Sequence, residues 1–139
     1  MTPPTTKGAA TGPRLLVRGH GGLLAGVKRT LAPGETLVVG RSRSCHLSLR
    51  KTRVFEHRED AAEVLVSPDF NRVSRIHCEI EFRDDGDVEI RDLSQNGTIV
   101  GGVRVHSAQR ITPSVEPITV ELVDGTWGKL LVSCAPQSL

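Results

Sequence analysis

The chain contains no tyrosine, and three phenylalanines with one tryptophan bring aromatic residues to only 3% of 139 positions. So sparse a set leaves almost nothing on which bases or sugars could stack. Cysteine is scarce and odd in number: Cys45, Cys78 and Cys134 are widely spaced and form no Cys-x-x-Cys pair. That argues against a disulfide framework or a structural zinc and fits a reducing compartment. Cys78 and Cys134 stand where an alternating apolar pattern would bury them. No run approaches the roughly 18 apolar residues of a spanning helix. Residues 1–13, rich in Thr, Pro and Gly, lack the apolar core of a signal peptide and read as a disordered lead; residues 136–139 read as a short tail. A formal net charge of +2 is too small to argue for nucleic acid. What remains, 37% hydrophobic and 24% charged, is the composition of one ordinary soluble, intracellular domain.

From Arg14 onward the apolar residues recur mostly every second position. Cys78, Ile80 and Phe82 share one face while Glu79 and Glu81 take the other, and Val88 and Ile90 alternate with Glu89 and Arg91. Leu37 and Val39, then Ile118, Val120 and Leu122, then Leu130, Val132 and Cys134 continue the pattern. Successive side chains point to opposite faces of a strand, so these segments are half-buried strands of an antiparallel sheet. Turn signals separate them at Ala32-Pro33-Gly34, Asp84-Asp85-Gly86, Asn96-Gly97, Gly101-Gly102 and Asp124-Gly125. Many short strands at this spacing predict an all-β sandwich. Alternation fails over residues 50–64, where charges cluster, and 55–63 is expected to form a short helix or a mobile loop.

Three polar clusters stand at strand ends: Gly40-Arg41-Ser42, Ser74-Arg75-Ile76-His77 and Ser94-Gln95-Asn96-Gly97-Thr98. Loops at one end of a sandwich can converge on a site held by rigid sheets. The residue types suit a phosphorylated ligand: arginine matches phosphate oxygens bidentately, serine adds a neutral donor, and an asparagine amide both donates to and accepts from peptide backbone.

Gly-Arg, Ser-Arg-x-His and Asn-Gly-Thr, in this order, resemble the forkhead-associated (FHA) domain from about Arg14 to Ala135. The resemblance implies a sandwich of about eleven strands that binds phosphothreonine peptides through loops at one end. Arg41 resembles the family's main phosphate-binding arginine, and Gly40 the glycine that lets the strand end turn. Ser74 matches the serine that donates to phosphate, and Arg75 the neighbour that contacts phosphate or peptide. His77 resembles a histidine bracing the loops from beneath. Asn96 matches the asparagine that holds the peptide backbone, with Gln95 beside it and Gly97 making the turn. Arg72 falls where some members read the third position after the phosphothreonine, which implies an acidic residue there.

Two departures stand out. The gap from Arg41 to Ser74 exceeds the family's usual spacing, so residues 50–64 form an insertion. After Asn-Gly-Thr the sequence reads Ile99-Val100-Gly101-Gly102 in place of the family's frequent aromatic and second Asn-Gly. The resemblance further implies intracellular signalling, in the nucleus more than the cytoplasm, by a monomer or one module of a larger protein, without cofactor or metal.

Other motifs carry less. Asp84-Asp85-Gly86-Asp87 lacks the spacing and downstream glutamate of an EF-hand loop. Gly19-His20-Gly21-Gly22 has no βαβ context and is a loop. Asn96-Gly97-Thr98 fits a glycosylation sequon only incidentally without a signal peptide. His77 lies three residues from Ser74, but no orienting acid or oxyanion site accompanies them, so a binding module and not an enzyme is expected. The acid-free run containing Arg41, Arg43, His46, Arg50, Lys51 and Arg53 reads as a solvated face, or as a rim that draws in acidic peptides. A nucleic-acid or membrane partner is not expected. The alternative reading is a sandwich that mediates phosphate-independent interaction or dimerisation.

Overall fold

A computed structural model describes residues 12–124 and 126–135. Most of the lead and the whole tail therefore lie outside the described residues, as does Gly125 of one expected turn. Eleven strands form: β1 (Leu15–His20), β2 (Lys28–Leu31), β3 (Thr36–Gly40), β4 (Leu47–Ser48), β5 (Cys78–Phe82), β6 (Val88–Asp92), β7 (Thr98–Val100), β8 (Val103–Val105), β9 (Ala108–Ile111), β10 (Ile118–Glu121) and β11 (Lys129–Cys134). They make two packed sheets, ordered β2-β1-β11-β10-β7-β8 and β4-β3-β5-β6-β9. The pairings are antiparallel, apart from the two-residue β4, which runs parallel to β3.

The alternation seen in the sequence is the alternation of burial. Leu15 and Val17, Leu37 and Val39, Cys78, Ile80 and Phe82, Val88 and Ile90, and Leu130 and Val132 fill the space between the sheets. Each such side chain contributes roughly 1.5–3 kcal/mol on leaving water. Outward-facing Arg91 bridges Glu79, Glu81 and Glu89 at 2.9, 2.9 and 3.1 Å, so the solvent face of β5 and β6 is an ion-pair network. Donating hydrogen bonds to those carboxylates, Glu81 first, holds the Arg91 guanidinium pKa above its ordinary value. Cysteine burial differs from expectation in one position. Cys45 and Cys78 are buried and free, whereas Cys134, the last residue of β11, is only half-buried although it still pairs with Leu15.

Of the short helix or mobile loop expected over 55–63, the helical alternative forms, as part of a series of three short helices: α1 (Arg53–Glu56), α2 (Ala61–Val66) and α3 (Pro68–Asn71). Thr52 and Ser67 cap α1 and α3 by accepting from the backbone N–H groups of Phe55 and Phe70, both at 3.2 Å. Phe55, Val64 and Phe70 are buried, so the insertion and the α3 turn that follows it are seated on the core. Phe55 stacks on Phe70 with centroids 6.1 Å apart, and Phe70 meets the edge of Trp127 at 5.6 Å. Three of the chain's four aromatic side chains thus tie the insertion to the segment between β10 and β11.

Candidate phosphate-binding loops

Register places the three clusters together. Val39 near the end of β3 pairs with Cys78 at the start of β5, and Cys78 pairs with Asp92 at the end of β6. Residues 40–46, 72–77 and 93–97 therefore meet at one end of the sandwich. Glu121 pairs with Ile99, which brings residues 122–124 and 126–128 to the same end.

Backbone and side-chain bonds knit these loops. The Arg41 N–H donates to the Ser74 carbonyl at 3.1 Å and the Ser42 N–H to the Arg75 carbonyl at 2.9 Å. The Arg41 Nε–H donates to the Val73 carbonyl at 2.6 Å, which fixes the guanidinium while its two Nη groups keep no protein partner among the described residues. Arg75 is exposed and its guanidinium has no partner among the described residues. The Ser74 Oγ accepts from the Gln95 N–H at 3.1 Å, and the Asn96 Nδ2 donates to the Arg72 carbonyl at 2.9 Å. Gln95 and Asn96 are both exposed.

His77 lies beneath, fully buried. Its Nδ1 accepts from the Ser74 N–H at 3.1 Å, so its Nε2–H donates to the Gly97 carbonyl at 3.0 Å. One neutral ring thereby braces two loops. Burial pushes its pKa below the ordinary imidazole value, against the opposing pull of the Gly97 bond. Because Nδ1 faces the Ser74 backbone and not its hydroxyl, the pair does not form a base–nucleophile couple.

Gly40 is required for a reason other than turning. It lacks a positive φ, and a Cβ there would lie 2.3 Å from the Arg75 carbonyl oxygen and 2.9 Å from the His77 nitrogen. Hydrogen alone lets β3 and the 74–77 segment touch. Gly40→Ala is expected to destabilise the fold by about 1–3 kcal/mol, which urea unfolding checks. Gly97 does make the expected turn, at φ +88°.

Two further residues support the site without having stood out in the sequence. The Asp92 Oδ1 accepts from the Ser94 Oγ at 2.5 Å, the Ser94 N–H at 3.2 Å and the Thr98 Oγ1 at 2.7 Å, and so shapes the 93–97 loop. An aspartate two residues before Ser-x-Asn-Gly was the available signal. Arg104 donates to the Asn96 carbonyl from β8, and no local pattern announces it.

Arg72 reaches the same end of the sandwich but is engaged by other side chains. Its Nη1 lies 3.1 Å from Asp124 Oδ2 and 3.7 Å from Asp69 Oδ1. Hydrogen bonds from Thr126 first, then Arg72, hold the Asp124 carboxyl below its usual range. Among the described residues no group of His, Cys, Asp and Glu is arranged to hold a metal ion, and no helix is long and apolar enough to cross a membrane.

Comparison with known proteins agrees with this architecture. The FHA domain model matches residues 37–116, which carry all three clusters. The FHA domain of the CT664 protein from Chlamydia trachomatis is 22% identical with a TM-score of 0.63, covering 88% of this chain and 99% of that one. The FHA domain of an Arabidopsis thaliana hypothetical protein is 20% identical with a TM-score of 0.64, covering 99% and 100%. A third structure, of an FHA domain studied for phosphothreonine-dependent interactions, is 21% identical with a TM-score of 0.57, covering 88% and 98%. At such identities the likeness is one of fold. No curated protein matches the chain. The family match spans more than half of the sequence, and the chain belongs to the FHA domain family.

Proposed function

We propose that this domain binds phosphothreonine-containing peptides and thereby recruits phosphorylated partners in intracellular signalling, in the nucleus before the cytoplasm. The observation that carries this reading is a pair of arginines, Arg41 and Arg75, with no ion-pairing carboxylate among the described residues, on loops that also present Asn96 and Gln95. Arg41 and Arg75 hold the phosphate with the Ser74 hydroxyl, and Asn96 and Gln95 hold the peptide main chain. A phosphothreonine carries about −1.5 to −2 charges near neutral pH, which suits two such cations. A solved FHA domain of the same fold is one studied for phosphothreonine-dependent interactions. Calorimetry with a phosphothreonine peptide library and its unphosphorylated counterpart tests the reading. Binding of the first alone supports it, and equal binding of both favours a phosphate-independent interaction domain.

The Arg72 ion pairs refine the expected selectivity. While Asp124 and Asp69 satisfy its charge, an acidic residue three after the phosphothreonine gains little from it. Asp124→Asn keeps the Oδ1 bond to Thr126 but removes the carboxylate facing Arg72. That variant is expected to raise the preference for an acidic over an alanine residue at this ligand position by up to about fivefold, the range of an exposed ion pair. An unchanged preference would remove Arg72 from the reader role.

A further inference from the structure

The described arginines fall into two groups. Arg58, Arg72, Arg83, Arg91 and Arg110 each lie within ion-pair distance of a carboxylate. The cations on one flank of the loop end do not. Over residues 41–53 the chain carries five arginines and lysines without an acid, and Arg29 joins Lys51 and Arg53 in space. Topology explains the meeting. β2 is the edge strand of one sheet and β4 that of the other. β4 runs parallel to β3, so residues 49–53 continue past the end where β3 delivers Arg41. Arg18 near the end of β1 pairs with Lys28 at the start of β2, and His20 pairs with Lys129 at the start of β11, which brings residues 25–29 to that end too.

Between them lies a pocket of about 200 Å³ with Arg29, Lys51 and Arg53 in its lining, alongside Gly26 and Thr52. All three cations are exposed. The Arg29 Nη1 and Lys51 Nζ donate only to the carbonyls of Lys28 and Arg43, both at 3.1 Å, and among the described residues no carboxylate pairs with any of the three. Neighbouring Arg50 adds a buried Nε that has no hydrogen-bond partner among the described residues. Three cations round a concave pocket, with no internal counter-ion, are matched by an external anion.

The order of elements across the loop end is informative. In the second sheet, β4 neighbours β3, whose end leads into Arg41, followed by β5 and then β6, which leads to Gln95 and Asn96. The pocket thus lies beyond the proposed phosphothreonine site, on the side opposite the residues that hold the peptide main chain. The bond from Lys51 to the Arg43 carbonyl links it to the Arg41 loop. None of its lining residues is aromatic, so it offers no stacking surface. Its size suits one charged side chain, and not the many spaced phosphates by which a nucleic-acid backbone gains affinity.

We propose that this pocket is a second anion site that receives a second phosphorylated residue of the same peptide, so that the domain reads doubly phosphorylated segments. The inference rests on the phosphothreonine reading of the Arg41 loops. The test is calorimetry at about 0.15 M salt with a singly phosphorylated threonine peptide. Matched peptides carry a second phosphoserine two to eight residues away on either side. We expect one narrow range of spacings to bind about tenfold more tightly than the single phosphopeptide. In the combined variant Arg29→Gln, Lys51→Gln, Arg53→Gln, that gain should fall below twofold while the single phosphopeptide binds as before. The variant's unfolding midpoint, unchanged within a few degrees, verifies its fold. Gain at no spacing, or gain that survives the triple variant, overturns the second site and leaves the first intact. Failure of every phosphopeptide overturns the Arg41 reading and this one with it. Tight binding of plain duplex DNA that the triple variant abolishes assigns the flank to nucleic acid and overturns the peptide proposal.

Discussion

Arg41→Ala is expected to weaken binding of a phosphothreonine peptide by at least about 100-fold, with little loss of stability. The Nε–H is already committed to the Val73 carbonyl, which leaves a fixed head with both Nη groups available. Each charge-assisted hydrogen bond lost to phosphate costs roughly 1.5–3 kcal/mol, and two of them suffice for the effect. Half-buried and outside the core, Arg41 gives up only the Val73 bond on the folding side. Arg41→Lys keeps a charge but loses both the planar fork and the Nε anchor, so most of the affinity should still be missing. Titration calorimetry beside a thermal melt separates the two effects. Full affinity in the alanine variant would sink the assignment.

His77→Ala is expected to cost about 3–5 kcal/mol of stability. It strips the Ser74 N–H and the Gly97 carbonyl of their partner, at roughly 1–3 kcal/mol for each unsatisfied group, and opens a cavity. Loop closure should fail with it, because the same ring joins two of the three clusters. The neutral ring also sets a pH dependence. Its folded pKa is depressed, so the unfolded chain binds the proton first as the pH falls. Stability from this group is full above the unfolded value of about 6.5 and is lost as the pH drops through the folded pKa. Within that window the slope approaches about 1.4 kcal/mol per pH unit. Urea unfolding at a series of pH values from 8 downward should show the decline, and His77→Gln should flatten it. A wild-type curve already flat below 6.5 would refute the buried neutral ring.

Much of the sandwich was legible because burial on one face imposes a period of two. Cys78, Ile80 and Phe82, or Leu130 and Val132, announce their strands by that period alone. The site clusters were legible because each is contiguous in sequence and stands at a strand end. What joins them was not, since it depends on pairs far apart: Asn96 with the Arg72 carbonyl, His77 with Gly97, and Arg72 with Asp124. Gly40 illustrates the difference. Its presence at the strand end was readable, but the reason is the Arg75 carbonyl lying against it, a contact between segments more than thirty residues apart. The insertion was legible only as a short helix or a mobile loop, because Phe55, Val64 and Phe70 follow neither period and anchor separate short helices. Likewise the basic run was legible as a solvated face or an attracting rim, whereas the pocket it shares with β2 depends on strand pairing far apart in sequence.

The aromatic seam between the insertion and the β10–β11 segment has a thermodynamic consequence. Helices of four, six and four residues fall well short of the roughly 12–15 at which an isolated helix becomes even marginal in water. α1, α2 and α3 therefore depend for their order on the packing of Phe55, Phe70 and Trp127 and on the core beneath, and opening of that seam is expected to melt them. Since α3 leads directly into Arg72, whose carbonyl holds Asn96, unseating the insertion would loosen the peptide-gripping side of the loops while the two sheets stayed folded. Local opening of that seam is therefore expected to lower affinity for a phosphopeptide from some distance away from the phosphate contacts.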